Sequence, residues 1–264
     1  GLREYLEDNA YGNATWPQLI ALLDSKTALN LDAWNKAWVY EAGRPRIIVS
    51  REGGGEQSPA QFVLRQEDPA GMGRIWPQKL SLLAITNKSQ TMHYIELGSD
   101  AVVIPAPAGD ASAAMILLPN ASGIEYADFV LDPQSQTGLL RDIGSIELLV
   151  ARGAAWTTLW EEVQEGRLAA GLYLDTVLRE LRAEQNELII TRVLGTLDES
   201  YWLRLDARAR LEISGPLEAM LWREVESTMR DTSARAAFYR SYRALATTDT
   251  GVERLIRLWE GDEE

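Results

Sequence analysis

Residues 43–50, with the sequence GRPRIIVS, mark the point where one kind of sequence pattern replaces another. Before this point, apolar residues recur at intervals of about three and four, which is typical of helices. Gly43 stands where the left-handed residue after a helix is expected, and Pro45 prevents a helix from continuing. The run Arg46–Ser50 is short and rich in β-branched residues, as strands are. The segment therefore predicts the end of a helical region, residues 1–43, and the start of a β-region.

Helix-start signals support a helical region before residue 44. Thr15 is followed three residues later by Gln18, which is the spacing of a capping box, and Pro17 is acceptable in a first helical turn. Asn30 is a second start signal. The apolar residues expected to form the buried faces are Leu19, Ile20, Leu22 and Leu23 in one helix and Leu31, Trp34 and Trp38 in the next.

Short β-type runs occupy residues 44–132. Glycine, proline and asparagine separate these runs, as expected for turns. In the run Gln61–Arg65, Phe62 and Leu64 alternate with Val63, which is typical of a half-buried strand. Short strands at this spacing predict a β-sandwich. The predicted strands are Arg46–Ser50, Gln61–Arg65, Lys79–Ile85, Thr91–Leu97, Ala101–Ile104, Ala113–Leu118 and Tyr126–Leu131.

Helical periodicity returns at Pro133 and continues to the end of the chain. Successive amphipathic segments are separated by short polar or glycine breaks, which predicts stacked αα-hairpins like those of a solenoid. The tryptophans of this region stand at helical spacing with leucines and are expected in the core; they are Trp156, Trp160, Trp202, Trp222 and Trp259. The predicted fold class is multidomain α and β: a short helical segment (1–43), a β-sandwich (44–132) and a helical, solenoid-like domain (133–264).

The composition excludes several classes of protein. Hydrophobic residues make up 46% and charged residues 25% of the 264 residues, as in globular proteins with a sizeable core. The formal net charge of −13 repels phosphate backbones, so we expect no nucleic-acid partner. The longest apolar stretch, Ala101–Ala108, contains two prolines and is too short to span a membrane.

Cysteine is absent, and His93 is the only histidine. Thiolate nucleophiles and cysteine metal sites are therefore excluded, and a two-histidine zinc site cannot form from this chain alone. His93 lies in the strand-like run Thr91–Glu96, where it is either a general base or lone metal ligand, or a structural strand histidine. Because no nucleophile motif is nearby, the structural interpretation is favoured, and we predict no catalytic residue and no metal ligand in this chain.

Two other patterns are interpreted as structural. The acidic residues Glu161, Glu162 and Glu165, and those at the C-terminus, lack the ligand spacing of a calcium loop and are expected on solvated surfaces. The glycine run Gly53–Gly55 lacks the lysine and the helix of a phosphate-binding loop, so it predicts a hairpin turn. The C-terminal acidic residues are Glu260, Asp262, Glu263 and Glu264.

Several stretches match a known family in order and spacing. They are LREYL at 2–6 with YGNAT at 11–15, LDAW at 31–34 leading through Trp38, Gly43 and Pro45 to IIV at 47–49, PN at 119–120 with GIEY at 123–126, RGAAW at 152–156, and EQN at 184–186. Together with the order of helices, β-sandwich and helical array, they resemble the C-terminal part of the aminopeptidase N family of zinc metallopeptidases. The resemblance covers nearly the whole chain.

The resemblance implies a non-catalytic portion of such an enzyme. The family's zinc motif, His-Glu-x-x-His with a downstream glutamate, and its Gly-x-Met-Glu-Asn loop do not occur in this sequence. Residues 1–43 would be the helical end of the catalytic domain, and 133–264 a truncated C-terminal helical domain. The chain would enclose the cleft and shape the access of peptide substrates. It would hold no cofactor itself, whereas the full-length parent would bind zinc, and its partners would be the N-terminal and catalytic domains of the same polypeptide.

Two questions are left open by the residues. Arg204, Arg208 and Arg210 form the densest basic group, and the resemblance implies that they face a substrate channel, where they would contact a peptide's C-terminal carboxylate. Helix-surface arginines that balance Glu199, Asp206 and Glu212 explain the same group. The alternative for the whole chain is a stand-alone helical-repeat scaffold or peptide-binding module without catalysis.

Overall fold

A computed structural model describes residues 1–53, 61–105 and 116–261 of the chain. Short helices come first, strands follow, and a long helical region ends the described chain. The predicted fold class is therefore confirmed. The predicted turn at Gly54 and Gly55, the start of the run Ala113–Leu118 and the acidic residues 262–264 lie outside the described residues. None of the described helices has the length and apolar character needed to cross a membrane.

Three short helices and one π-helical turn form the N-terminal region. They are α1 (Leu2–Asp8), α2 (Trp16–Asp24), α3 (Leu31–Asn35) and the π-helical turn Lys36–Tyr40. The last of these ends at Tyr40, so the prediction that Gly43 caps a helix is wrong. Gly43 does have a positive φ of 126°, and a Cβ there would lie 3.1 Å from Nη2 of Arg74. The glycine therefore allows Arg74 to approach the chain.

Both predicted helix starts are confirmed. Oε1 of Gln18 accepts hydrogen bonds from the backbone nitrogen of Thr15 at 3.0 Å and from its hydroxyl at 2.8 Å. Oδ1 of Asn30 accepts a bond from the backbone nitrogen of Ala33 at 2.9 Å. These bonds satisfy main-chain donors that a helix leaves without internal partners.

The β-region forms two sheets, as a sandwich requires. The strands are β1 (Arg46–Glu52), β2 (Gln61–Glu67), β3 (Gln78–Ile85), β4 (Gln90–Leu97), β5 (Ala101–Pro105), β6 (Ile116–Leu118) and β7 (Asp128–Val130). One sheet has the order β5-β2-β1-β7 and the other the order β4-β3-β6. Strand β1 pairs antiparallel with β2 and parallel with β7. Val63 is buried along with Phe62 and Leu64, so the predicted alternation is wrong: both faces of this inner strand are covered.

Seven helices follow the strands. They are α4 (Pro133–Asp142), α5 (Leu149–Gln164), α6 (Ala170–Glu180), α7 (Glu187–Arg204), α8 (Ala207–Glu226), α9 (Thr232–Leu245) and α10 (Asp249–Glu260), with a 3₁₀ turn at Ile143–Ser145. Asp132, Asn186, Asp206, Asp231 and Thr248 cap five of these helices with side-chain oxygens. One hydrophobic core joins helices α4 to α9.

The tryptophan prediction is correct only in part. Trp156 and Trp160 are buried, and both rings lie against the ring of Tyr173, with centroids 6.0 and 5.7 Å away. Trp202 and Trp259 are exposed, so their prediction as core residues is wrong. Helical spacing puts a residue on a face, but a neighbouring element must cover that face to bury it.

The chain divides into two compact units. The first comprises Gly1–Leu80, Tyr94–Ala111 and Glu125–Val130, and the second Ser81–His93, Ser112–Ile124 and Leu131–Glu264. The first contains α1–α3 and the sheet β5-β2-β1-β7. The second contains α4–α10 and β6. Strands β3 and β4 continue from one unit into the other, and the predicted boundaries at residues 43/44 and 132/133 stay predictions.

Candidate functional site

His93 lies half-buried in strand β4, as predicted from its sequence pattern. Among the described residues, no three His, Cys, Asp or Glu side chains come together where they could hold a metal ion. Catalytic zinc sites take three protein ligands, mostly imidazoles with a carboxylate or thiolate. One imidazole and no thiol do not supply such a set, so the residues in the described part of the chain do not fit a zinc site.

One acidic group differs from its prediction. Glu162 is buried, not solvated: its Oε1 accepts a bond from Nε of Arg167 at 2.9 Å, and its Oε2 one from Nε2 of Gln136 at 2.9 Å. The prediction of a solvated face is therefore wrong at this position. Gln136 belongs to helix α4, and Arg167 follows α5, so partners from both sides replace the water that the carboxylate loses.

Arg204 and Arg210 are held at the corner between α7 and α8. Arg204 pairs with Glu199, Nη2 to Oε1, at 2.7 Å, and donates to the carbonyl of Gln164 at 3.3 Å. Arg210 donates from Nη1 to the carbonyls of Trp202 and Leu205, at 3.0 and 3.3 Å. Both guanidinium groups therefore bind the ends of neighbouring helices, where carbonyls lack internal partners.

Arg208 differs from the other two arginines. It forms an ion pair with Glu212 one turn along α8, Nε to Oε1, at 3.0 Å, and its side chain is 89% exposed. An exposed pair at this helical spacing is weak, so a stronger anion competes with it easily. Of the three predicted arginines, Arg208 is the one whose charged group is turned toward solvent, and its contact with a substrate stays a prediction.

Apolar side chains are exposed along the three N-terminal helices. Leu2 and Leu6, one turn apart on the same face of α1, are 61% and 62% exposed, and α1 buries none of its residues. Ile20 is the one buried residue of α2, although the sequence predicted a four-residue buried face. The N-terminal apolar surface, as we call it, consists of Leu2, Leu6, Trp16, Leu29, Trp34, Val39 and Tyr40.

A groove beside α3 extends this surface within the first unit. It has a volume of about 610 Å³, and an ion pair between Lys79 and Glu96, at 3.1 Å, lies at its rim. The ring of Trp16 is fixed nearby, because its Nε1 donates to Oδ1 of Asn35 at 2.7 Å. Apolar grooves with a few polar groups at the edge are typical binding sites. The apolar lining consists of Leu29, Leu31, Ala33, Trp34, Ile75, Pro77 and Leu97.

The stretches RGAAW and EQN meet in the second unit. Arg152 binds Glu184 through two hydrogen bonds at 2.7 and 3.1 Å, and both residues line a cleft of about 340 Å³. Burial opposes ionisation of Glu184, but the bonds from Arg152 and from the backbone nitrogens of Asn186 and Gln185 outweigh it, so the pKa of the carboxyl lies below its ordinary value. Because the carboxylate is fully hydrogen-bonded, the pair is suited to fixing the start of α7, not to proton transfer.

A second stretch of the resemblance forms a buried polar contact. Nδ2 of Asn120 donates to Oγ1 of Thr158 at 3.0 Å, and Thr158 also donates to the carbonyl of Ala154 at 3.0 Å. Both side chains are buried. The contact anchors the segment after β6 to helix α5, within the second unit. Sequence patterns gave no sign of it, since the two residues lie far apart in the chain.

Comparison with known proteins finds no family model that matches the chain. Aminopeptidase N of Streptomyces lividans is 26% identical over 284 aligned residues, which cover 99% of this chain and 32% of that protein. The crystal structure of Legionella pneumophila aminopeptidase A in complex with aspartic acid superposes with a TM-score of 0.61 at 15% identity, over 98% of this chain and 34% of that one. The chain thus spans about a third of each relative. Over nearly its whole length, the chain is similar in sequence to an aminopeptidase N and in fold to an aminopeptidase A.

Proposed function

We propose that this chain is the non-catalytic C-terminal portion of a zinc-dependent aminopeptidase, which encloses the cleft of the enzyme and shapes the access of peptides to it. The observation that carries the proposal is the N-terminal apolar surface. The similarity to aminopeptidase N over 99% of the chain supports the enzyme class. Zinc and the reacting groups belong, in this proposal, to the catalytic domain of the same polypeptide.

The N-terminal apolar surface requires a covering partner for a thermodynamic reason. Isolated helices shorter than about 12 residues are marginal in water, and each Å² of apolar surface left in water costs about 25 cal/mol. Helix α1 has seven residues and buries none of them. A helix this short is stabilised chiefly by tertiary contacts. The resemblance makes residues 1–43 the helical end of the catalytic domain, and the rest of that domain would supply these contacts.

Arg208 is the residue that we propose to contact substrate. Its exposed guanidinium can exchange Glu212 for the C-terminal carboxylate of a peptide. Arginine binds such a carboxylate through two parallel hydrogen bonds, in a bidentate geometry. Arg204 and Arg210 would instead keep the corner between α7 and α8 in place, because their bonds run to main-chain carbonyls. A cationic group beside the cleft would favour binding of peptides with a free C-terminal carboxylate over binding of the same peptides with a C-terminal amide.

The test of this proposal compares the zinc content and the activity of two proteins: the chain alone, and the chain joined to its catalytic region. The chain alone is expected to retain no stoichiometric zinc after dialysis and to cleave no fluorogenic alanyl or leucyl substrate. The joined protein is expected to hold one zinc and to be active, because the ligands then come from the catalytic region. One zinc per chain, or turnover abolished by a chelator in the chain alone, would contradict the proposal.

The docking step has its own test. The double variant Leu2→Lys with Leu6→Lys should leave the folding of the chain unchanged, since both side chains are exposed, but should weaken its binding to the separately purified catalytic region. Leu188→Lys, at an exposed leucine of α7, serves as the matched control. Equal binding by the double variant and the control would show that α1 does not dock there.

A further inference from the structure

The last described helix, α10, carries an apolar stripe that nothing in the described chain covers. Val252, Ile256 and Trp259 follow one another at intervals of four and three residues, so they lie on one face of the helix. All three are exposed, and Trp259 is 91% exposed. A tryptophan this exposed, at the end of an apolar stripe, is typical of an interface residue.

A different side of α10 packs against the protein. Gly251 is buried, and its carbonyl accepts a bond from the hydroxyl of Tyr242 at 3.4 Å. The guanidinium of Arg254 lies over the ring of Trp222, 4.7 Å from its centroid. Leu255 is half-buried against the core. The packed side and the exposed stripe are therefore adjacent, and the stripe is not needed to attach α10 to the protein.

An acidic row borders the stripe on its other side. Asp249, Glu253 and Glu260 are exposed. Their spacing along the helix places them on one narrow face of α10, next to Ile256. None of these three acids forms an ion pair with another described residue. The apolar stripe thus runs between the packed side of α10 and a row of negatively charged side chains.

We infer that this surface docks an amphipathic helix whose own apolar stripe is bordered by lysine or arginine. Ridge-into-groove packing suits a helix laid along α10, whose 12 residues extend for about 18 Å. Opposite charges beside an apolar contact set the orientation and the choice of partner. The surface shares no residue with the N-terminal apolar surface, so the inference does not depend on the proposed function.

A second copy of the chain fits the surface less well. Two antiparallel α10 helices would oppose their acidic rows, and like charges in contact are unfavourable. Two parallel helices would set the acids of one copy against the packed side of the other, where Leu255 and Gly251 already have partners. Charge complementarity therefore selects a basic helix.

The test uses two synthetic 18-residue helical peptides with the same leucine stripe, one bordered by lysines and one by glutamates. Binding to the full 264-residue chain is followed by the anisotropy of a label on the peptide. The lysine peptide is expected to bind, and Ile256→Glu to weaken its binding by about tenfold or more, as truncation of a central contact does. Leu188→Glu, on α7, should leave binding unchanged.

Charge reversal makes the test specific. The double variant Glu253→Lys with Glu260→Lys is expected to lose the lysine peptide and to gain the glutamate peptide. Failure of the lysine peptide to bind, equal binding of both peptides, or an unchanged preference after charge reversal would each overturn the inference. Self-association of the chain in sedimentation, abolished by Ile256→Glu, would overturn it as well, because the occupant would then be a second copy.

Discussion

Arg152 and Glu184 are joined across 32 residues of sequence by two parallel hydrogen bonds, from Nε to Oε2 at 2.7 Å and from Nη2 to Oε1 at 3.1 Å. The third nitrogen of Arg152, Nη1, donates to the carbonyl of Ile146 at 2.7 Å. The side chains are 15% and 6% exposed. The pair connects the start of α5 to the start of α7, and it brings together two of the stretches that carry the resemblance.

Arg152→Ala should destabilise the chain by about 3 kcal/mol or more, because removal of one partner leaves the other charge buried without compensation. Arg208→Ala is the matched control: it also breaks an arginine–glutamate pair, but an exposed one, and should cost less than about 1 kcal/mol. Urea unfolding followed by circular dichroism measures both. Similar losses for the two variants would show that the Arg152 pair is not a structural anchor.

Thr158→Val tests the buried contact with Asn120. The change keeps the shape of the side chain but leaves the amide of Asn120 without its partner, which should cost about 1–3 kcal/mol. Thr157→Val is the control, since the hydroxyl of Thr157 donates within its own helix, to the carbonyl of Gly153 at 3.1 Å. We expect the control to change the free energy of unfolding by less than about 0.5 kcal/mol. If Thr157→Val proved the more damaging, the assigned role of Asn120 would be wrong.

The order and type of the elements could be predicted from sequence because they depend on local patterns. The run Lys79–Ile85, for example, differs by one residue from strand β3. The two N-terminal helix starts depend on capping hydrogen bonds between residues three positions apart in the sequence. Caps and strand alternation involve neighbours in the chain, so the sequence displays them directly.

The burial of individual faces could not be predicted in the same way. Trp156 and Trp259 have the same kind of spacing, yet one is in the core and the other is in water. What covers a face depends on elements far away in sequence. The three arginines show the same limit: proximity in the chain suggested one group, whereas Arg204 and Arg210 turn to main-chain carbonyls and Arg208 turns to solvent.

The environment of Asp68 predicts that the stability of its loop, in the first unit, falls at acid pH. Arg74 binds the carboxylate with two bonds at 2.9 and 2.8 Å, and the backbone nitrogens of Ala70 and Met72 donate to it as well. The bonds from the Arg74 side chain, with those from the backbone nitrogens of Ala70 and Arg74, outweigh burial and hold the pKa of Asp68 well below its ordinary value. Since the folded pKa is depressed, the carboxylate stabilises the fold above its unfolded pKa, about 3.9, and this contribution is lost as the pH falls toward the folded pKa.

Asp68→Asn should therefore lower the stability at neutral pH and flatten its pH dependence below about pH 4. Urea unfolding from pH 2 to pH 7 measures this change. Glu96→Gln, which removes a carboxylate from the exposed pair with Lys79, is the control and should leave the profile as it is. An unaltered acid profile in Asp68→Asn would mean that the loop does not depend on the ionised carboxylate.

Arg208→Ala provides the sharpest prediction for substrate access, and it rests on the proposed function. In the chain joined to its catalytic region, the variant should raise the KM for peptides with a free C-terminal carboxylate by about two- to fivefold, the range of an exposed charge pair. It should leave the KM for the same peptides in amidated form unchanged, and kcat unchanged for both, because Arg208 would contact a group remote from the scissile bond.

Arg204→Ala is the companion variant: its guanidinium binds Glu199 and the carbonyl of Gln164, so we expect a loss of stability without a carboxylate-dependent change in KM. Steady-state kinetics on matched free and amidated peptides separate these outcomes. An equal rise in KM for both forms of the peptide would show that Arg208 acts through the fold, and not through the substrate's carboxylate.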